Sequence, residues 1–178
     1  MDRNALARHI VDASYLKGKF TLRSGQISYR YFDKYQFESR PELLRAIAEA
    51  MAELVPTDTE VLAGLELGGV PIATVLSILT DLPVVFVRKA RKDYGTGRIT
   101  EGVAIEGRRV CIIEDVITTG GQVALSARDL RADRALVNTA ICAIYRGEGD
   151  PAIATDPSFA VRSLFTAREL VGAEADRA

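Results

Sequence analysis

From residue 61 onward, short apolar runs alternate with segments of helical periodicity, and this alternation constrains the fold more than any other feature. Strands without a polar face are typical of a parallel sheet that helices cover on both sides. In such sheets a ligand binds at the carboxyl ends of the strands, near a reversal of strand order. We therefore predict an α/β fold whose functional loops follow the strands. The predicted strands are residues 61–65, 84–87, 109–114, 135–145 and 159–165, and the predicted helices among them are 70–79 and 121–130.

The first sixty residues have a different pattern. A helix is expected over the first segment up to Gly18, and a second is expected to start at Ser39, with Glu42 completing a capping box. Between them, residues 20–37 hold six of the twelve aromatic residues of the chain. A chain of 178 residues is expected to form one domain. We divide it into a hood (residues 1–38), an α/β core (residues 39–170) and a short C-terminal tail.

Charge and composition argue against several classes of protein. The chain has 23 basic and 24 acidic residues, a net charge of −1, whereas a general binder of nucleic acids or membrane surfaces needs an excess of positive charge. The N-terminus is charged, unlike a signal peptide, and the longest uncharged stretch, residues 67–80, is too short to cross a bilayer. Cys111 and Cys142 lie in apolar runs and are expected to be buried thiols in a reducing compartment. We therefore expect a cytoplasmic protein.

The most informative segment is residues 110–122. An apolar strand leads into two adjacent acids, Glu114 and Asp115, and then into a phosphate loop (residues 118–121), which is followed by a helix. Glycines at a helix start let backbone N–H groups approach an anion, and the helix dipole favours a phosphate there. The two acids would repel a phosphate, so vicinal hydroxyls or a divalent cation suit them better. A phosphorylated sugar satisfies both halves of the segment. The candidate phosphate ligands are Thr118, Thr119, Gly120 and Gly121.

Two further loops follow predicted strands. The basic loop (residues 88–98) has five basic residues and one acidic residue, a net charge of +4 that leaves −5 for the rest of the chain. Such a loop could close over a substrate and neutralise a departing anion. The glycine loop (residues 66–69) ends in Gly68 and Gly69, which allow unusual backbone angles and close approach of an anion.

The segment 110–122 resembles the phosphoribosyl pyrophosphate (PRPP) motif of type I phosphoribosyltransferases, in which an apolar strand, two acids and two variable residues precede a Thr/Gly-rich loop. The resemblance implies a Rossmann-like type I phosphoribosyltransferase fold, with a mostly parallel sheet flanked by helices and a small N-terminal hood. Over residues 20–170 the chain resembles the orotate phosphoribosyltransferases in particular, because the sequence Phe-Thr-Leu-Arg-Ser-Gly at 20–25 precedes an aromatic pair. The implied reaction converts orotate and PRPP into orotidine 5′-monophosphate and pyrophosphate.

The resemblance also implies roles for individual residues. Arg88, Lys89 and Lys92 would bind pyrophosphate and ribose-side oxygens, with Lys92 as the main catalytic candidate and Asp115 as a further one. Tyr94 stands where many members have His, and the glycine loop lacks a lysine that some relatives carry. The residues expected on the substrate side are Arg23 for phosphate oxygens, Tyr31 and Phe32 for stacking on the base, Arg146 for the orotate carboxylate, and Glu114 and Asp115 for ribose hydroxyls.

The resemblance further implies Mg²⁺, held mainly through substrate and water with Asp115 as the candidate protein ligand, and a homodimer that shares the basic loop across its interface. Two alternatives remain open. One is a salvage phosphoribosyltransferase for another base; the other is a PRPP-sensing regulator that binds nucleic acid. The regulator would need a broad basic face or an added domain, and neither is visible in the chain.

Overall fold

The computed structural model describes residues 1–21, 25–90, 98–153, 156 and 158–175, with only the backbone for 173–175. The helices are α1 (Arg3–Ser14), α2 (Tyr35–Glu38), α3 (Pro41–Ala52), α4 (Gly69–Thr80), α5 (Gly121–Ala132) and α6 (Ala167–Ala175). The strands are β1 (Tyr15–Thr21), β2 (Ile27–Phe32), β3 (Val61–Leu65), β4 (Val84–Val87), β5 (Thr100–Gly102), β6 (Arg109–Ile117), β7 (Leu136–Tyr145) and β8 (Ala160–Thr166).

The main sheet has the strand order β5-β4-β3-β6-β7-β8. All neighbouring pairs are parallel except β4 and β5, which are antiparallel. The predicted mostly parallel sheet is therefore confirmed. The chain leaves β3 for β4 on one side and later returns to β6 on the other, so the strand order reverses between β3 and β6. The carboxyl ends of these two adjacent strands define the switch point where a ligand is expected.

Apolar residues cover both faces of the sheet. One cluster joins α1, α3 and α4 to one face, and a second joins α5 to the other. Cys111 belongs to the first cluster and Cys142 to the second, and both are buried free thiols, as predicted. Burial raises the pKa of each thiol to about 12. The division into hood and core stays a prediction, since α1 packs in the same cluster as α3.

The hood contains an antiparallel β1–β2 hairpin followed by the short helix α2. The expected helix up to Gly18 is wrong beyond Ser14, because the chain continues as β1 and Tyr15 pairs with Phe32 across the hairpin. Their rings make an edge-to-face contact with centroids 5.1 Å apart. Cross-strand aromatic contacts of this kind stabilise a strand where local periodicity alone suggests a helix.

The capping box at Ser39 is also wrong. Ser39 ends α2, and α3 begins at Pro41 with Arg40 at its N-cap and no side-chain cap. Proline is favoured at the first position of a helix because its missing N–H would have no partner there. Five elements were not predicted: the hairpin strands β1 and β2, the short helix α2, the three-residue edge strand β5, and helix α6, which extends into the expected tail.

Candidate active site

Two loops meet at the switch point of the sheet. The glycine loop follows β3 and the phosphate loop follows β6, and the two strands are hydrogen-bonded neighbours. Strand β6 runs to Ile117, three residues further than predicted, so Glu114 and Asp115 lie within the strand. The two acids are therefore held by the sheet.

The phosphate loop lies at the start of α5. Gly120 has a positive φ of 73°, and a β-carbon there would lie 2.9 Å from a side-chain atom of Ile153. Thr118 and Thr119 are exposed, and the loop lines a cavity of about 190 Å³. Helix α5 has twelve residues, and its first backbone N–H groups have no partner within the helix. The predicted ligands Thr118, Thr119, Gly120 and Gly121 all line this cavity, which has the donors and the dipole that an anion needs.

The two acids have different surroundings. Glu114 lines the 190 Å³ cavity, and its buried Oε2 has no hydrogen-bond partner in the described part of the chain. Asp115 is fully buried and does not line that cavity. Its Oδ1 accepts a hydrogen bond from the N–H of Val116 at 2.6 Å, and its Oδ2 forms an ion pair with Nζ of Lys34 at 2.5 Å. Glu114 is thus the acid placed to accept hydrogen bonds from a ligand in the cavity.

A third carboxyl group lies beside Asp115. Glu38 is buried and forms a hydrogen bond with Asp115. Burial, that hydrogen bond and repulsion from Asp115 raise the pKa of Glu38 to about 9. Burial and repulsion from Asp115 also raise the pKa of Glu114 to about 8. Burial opposes the charge of Lys34, but the hydrogen bond to Asp115 and the attraction of Asp115 and Glu114 together outweigh it and raise the pKa of Lys34. The carboxyls of Glu38 and Glu114 therefore keep their protons to a higher pH than an ordinary glutamate does.

The glycine loop packs directly on strand β6. A β-carbon at Gly68 would collide with the carboxylate of Asp115, and one at Gly69 would collide with the carbonyl oxygen of Ile113. Gly68 has an ordinary φ of −68°, and Gly69 starts α4. The expected unusual backbone angles are therefore not the reason for these glycines. They allow the loop to lie against the acids.

The residues expected to bind the base are only partly brought together. The guanidinium of Arg146 lies over the ring of Phe32, 5.8 Å from its centroid. The N–H of Arg146 donates to the carbonyl of Ile117 at 2.8 Å, which places it beside the phosphate loop. Tyr31, in contrast, is 44% exposed and packs on Phe20 with centroids 5.4 Å apart. Neighbouring residues on a strand point to opposite faces, so of the two predicted aromatic residues Phe32 lies beside Arg146 and Tyr31 faces the other way.

The base of the basic loop is fixed by two hydrogen bonds. The N–H of Arg88 donates to the carbonyl of Ile99 at 2.9 Å, and the N–H of Lys89 donates to Oε2 of Glu66 at 3.0 Å. Glu66 belongs to the glycine loop, so the two loops are joined at this point. Buried Nε of Arg88 has no partner among the described residues. Three candidates lie outside the described residues: Arg23, Lys92 and Tyr94.

Sequence reasoning missed three residues of this site, Lys34, Glu38 and Glu66. None of the three is part of a recognisable sequence motif. Each reaches the site through a contact with a segment that is distant in sequence. A signal exists for Lys34 and Glu38, since a basic and an acidic residue closely follow the aromatic pair. Their partner could not be named without the fold.

The acidic residues of the site can be compared with those needed to hold the expected magnesium ion. No group of three or more His, Cys, Asp and Glu side chains that could hold a metal occurs in residues 1–21, 25–90, 98–153 and the described residues beyond. Both oxygens of Asp115 are engaged by Val116 and Lys34. The unpartnered Oε2 of Glu114 fits a hydroxyl or a metal-bound water. The donor set therefore fits Mg²⁺ held through substrate and water.

Fold and site together define an α/β protein with a glycine-rich loop and a helix N-terminus at the switch point of its sheet. A phosphoribosyl transferase domain model matches residues 34–163. An orotate phosphoribosyltransferase from Nocardioides sp. is 50% identical over 165 residues, which cover 93% of this chain and 92% of that protein. One from Methanocella arvoryzae is 41% identical, covering 87% and 89%. The chain therefore belongs to the phosphoribosyltransferases, and within them to the orotate phosphoribosyltransferases.

A solved structure agrees with this placement. The orotate phosphoribosyltransferase of Mycobacterium tuberculosis in complex with PRPP matches with a TM-score of 0.78 at 25% identity, covering 96% of this chain and 99% of that one. The predicted family and fold class are thus confirmed. Over the described residues, no helix combines the length and the apolar character needed to span a bilayer.

Proposed function

We propose that this chain transfers the phosphoribosyl group of PRPP to orotate, which yields orotidine 5′-monophosphate and pyrophosphate in pyrimidine (UMP) biosynthesis. The observation that carries the proposal is the arrangement around the switch point. A phosphate loop, a buried acid pair and an Arg–aromatic pair surround one end of the sheet in a chain that is 50% identical to a relative named for this reaction.

The chemistry needs positioning and charge more than a covalent nucleophile. Pyrophosphate leaves the ribosyl carbon, which becomes cationic, and N1 of orotate attacks from the opposite face. The phosphate loop holds the 5′-phosphate with its backbone N–H groups and with the hydroxyls of Thr118 and Thr119. Glu114 accepts hydrogen bonds from the ribose hydroxyls, and the negative charge of Asp115 behind it stabilises the developing positive charge.

The base lies on the hood side. Arg146 binds the orotate carboxylate, because a guanidinium can donate two parallel hydrogen bonds to it. Phe32, under the Arg146 guanidinium, offers an aromatic surface to the pyrimidine. The neutral bases of salvage reactions carry no carboxylate, so Arg146 favours orotate over uracil, hypoxanthine or adenine.

The pyrophosphate side combines the glycine loop with the basic loop. Gly68 and Gly69 present backbone N–H groups, and Arg88, Lys89 and Lys92 neutralise the leaving group. Magnesium, when bound through substrate and water, adds positive charge to the pyrophosphate oxygens. We further propose a cytoplasmic homodimer in which the basic loop serves the neighbouring subunit.

The decisive experiment follows orotate spectroscopically after mixing the protein with PRPP and Mg²⁺, with uracil, hypoxanthine and adenine in parallel. Consumption of orotate alone supports the proposal. Turnover of another base with orotate untouched would make the chain a salvage enzyme. High-affinity nucleic-acid binding at physiological salt, without turnover, would favour a regulator.

Within this scheme, Lys92→Ala is expected to lower kcat more than it weakens substrate binding, since a charge that meets the departing pyrophosphate acts mainly in the transition state. Steady-state kinetics with PRPP and orotate varied in turn measure the two effects. Unchanged kcat would remove Lys92 from the catalytic role.

A further inference from the structure

Lys34 is the cationic residue of the hood that contacts the acid pair of the core. Its Nζ lies 2.5 Å from Oδ2 of Asp115, and its side chain is 34% exposed whereas that of Asp115 is fully buried. The Lys34 side chain therefore extends from the surface to a buried carboxylate, with which it forms an ion pair. A buried charge is tolerated only where partners of opposite charge or hydrogen-bond donors compensate it.

The remaining surroundings of Asp115 leave few ways to hold its carboxylate. Oδ1 is occupied by the N–H of Val116 at 2.6 Å, and the backbone of Gly68 closes another side. Glu38 forms a hydrogen bond with Asp115 and Glu114 lies beside it, but neither carboxyl supplies a positive charge. Among the described residues, Asp115 forms one ion pair, and its partner is Lys34. Lys34 is thus the charged group that fixes the direction of Oδ2.

Lys34 also lies two residues after Phe32, whose ring carries the Arg146 guanidinium. One short piece of chain therefore joins the aromatic residue of the base side to the acid on the ribose side. We infer that Lys34 is a positioning residue, which orients the Asp115 carboxylate of the core from the hood. This inference rests on the proposed function, because it takes Asp115 to act on the ribosyl group.

The test separates a positioning role from a role in holding the hood in place. Lys34→Met is expected to lower kcat and to raise the KM for PRPP, about tenfold or more in kcat/KM, while the KM for orotate changes little. Lys34→Arg, which keeps a cation, is expected to restore most of the activity. Lys17→Met, an exposed lysine of β1 in the same hood, is the matched control. A loss confined to the KM for orotate would overturn the inference, since Phe32 and not Asp115 would then be affected.

A double-mutant cycle gives the second readout. In an Asp115→Asn background, Lys34→Met should reduce kcat/KM by less than about threefold, because the partner through which it acts is already neutral. Equal losses in both backgrounds would overturn the inference.

Urea unfolding of the same variants needs no activity. Lys34→Met should shift the midpoint strongly in the wild-type background and weakly beside Asp115→Asn, because only the former leaves a buried charge unpaired. Additive shifts would contradict the ion pair itself. An inactive wild type would refute the proposed function, and the unfolding cycle would still decide on the pair.

Discussion

The side chain that Gly68 lacks would occupy the same space as the Asp115 carboxylate. Gly68→Ala is therefore expected to push the glycine loop away from strand β6, to lower the free energy of unfolding by about 1–3 kcal/mol and to abolish most of the activity. Chemical denaturation and the orotate assay measure the two effects.

Gly172→Ala is the matched control for this prediction. Gly172 lies in α6, no atom lies within 4 Å of the β-carbon that the substitution would add, and its φ is not positive. Alanine there should leave activity unchanged and stabilise the protein slightly, because it reduces the backbone entropy lost on folding. A Gly68→Ala variant as active and stable as this control would show that the loop can move away without consequence.

At the scale of single residues, the sequence predicted which types of residue would lie together at the site, but not the direction in which each side chain points. The order of acids, threonines and glycines in residues 114–121 correctly predicted a loop between a strand and a helix, because a strand followed by a glycine-rich helix start has one common geometry. It could not show that Asp115 turns away from the cavity towards Lys34. That orientation depends on the hood, which folds over the strand from eighty residues away.

Between the elements, Glu66 joins the glycine loop to the basic loop through the N–H of Lys89. Glu66→Ala removes this acceptor, so the base of the basic loop should be held less firmly and kcat/KM for PRPP should fall about three- to tenfold. Glu66→Gln keeps a neutral acceptor and is expected to retain most of the activity. If alanine and glutamine variants both behaved like the wild type, this hydrogen bond would have no part in placing the loop.

Strands and helices were predictable where their burial in the core requires an apolar sequence. Strands β3 and β4 match the predicted bounds, because a strand covered on both faces must be apolar throughout. Strand β5 escaped prediction since it is three residues long and carries Thr100 and Glu101. Its existence depends on an antiparallel pairing with β4, and pairing of this kind leaves no local pattern.

For the whole molecule, the raised pKa of Glu38 makes stability depend on pH. In the unfolded chain this carboxyl loses its proton near its ordinary pKa of 4.5, whereas in the folded protein it keeps the proton to about 9. The folded state therefore binds more protons between these values, and the free energy of unfolding falls as the pH rises, by up to about 1.4 kcal/mol per pH unit. Glu114, with a pKa of about 8, acts in the same direction.

Glu38→Gln removes the titrating group and is expected to flatten this decline between pH 5 and 9. Urea unfolding of ligand-free protein at several pH values measures it, and Glu49→Gln, a substitution at an exposed position of α3, is the control. A slope that stays as steep in Glu38→Gln as in the control would mean that the Glu38 carboxyl is ionised in the folded protein.

The proposed sharing of the basic loop between subunits predicts complementation. Lys92→Ala damages the basic loop, and Arg146→Ala damages the substrate cleft at the switch point, where the base binds. Each homodimer should therefore be nearly inactive. Mixed dimers contain one site with an intact loop and an intact cleft, and random exchange should restore about a quarter of the sites. Activity regained after unfolding and refolding the two variants together supports loop sharing. Its absence in a mixture shown to contain mixed dimers would place each loop over its own cleft.

Strand β5 sets a limit on what the basic loop can reach. Because the N–H of Arg88 bonds to the carbonyl of Ile99 and β5 pairs with β4, the loop is tethered to the sheet at both ends. Ten residues lie between these anchors, and a chain that goes out and returns can extend over only half of them, about 17 Å. The two anchors and the length of the loop thus limit how far its tip can lie from the sheet. Any reacting pyrophosphate that Lys92 serves, in its own subunit or in a neighbour, must lie within roughly that radius, plus one side chain, of the sheet edge.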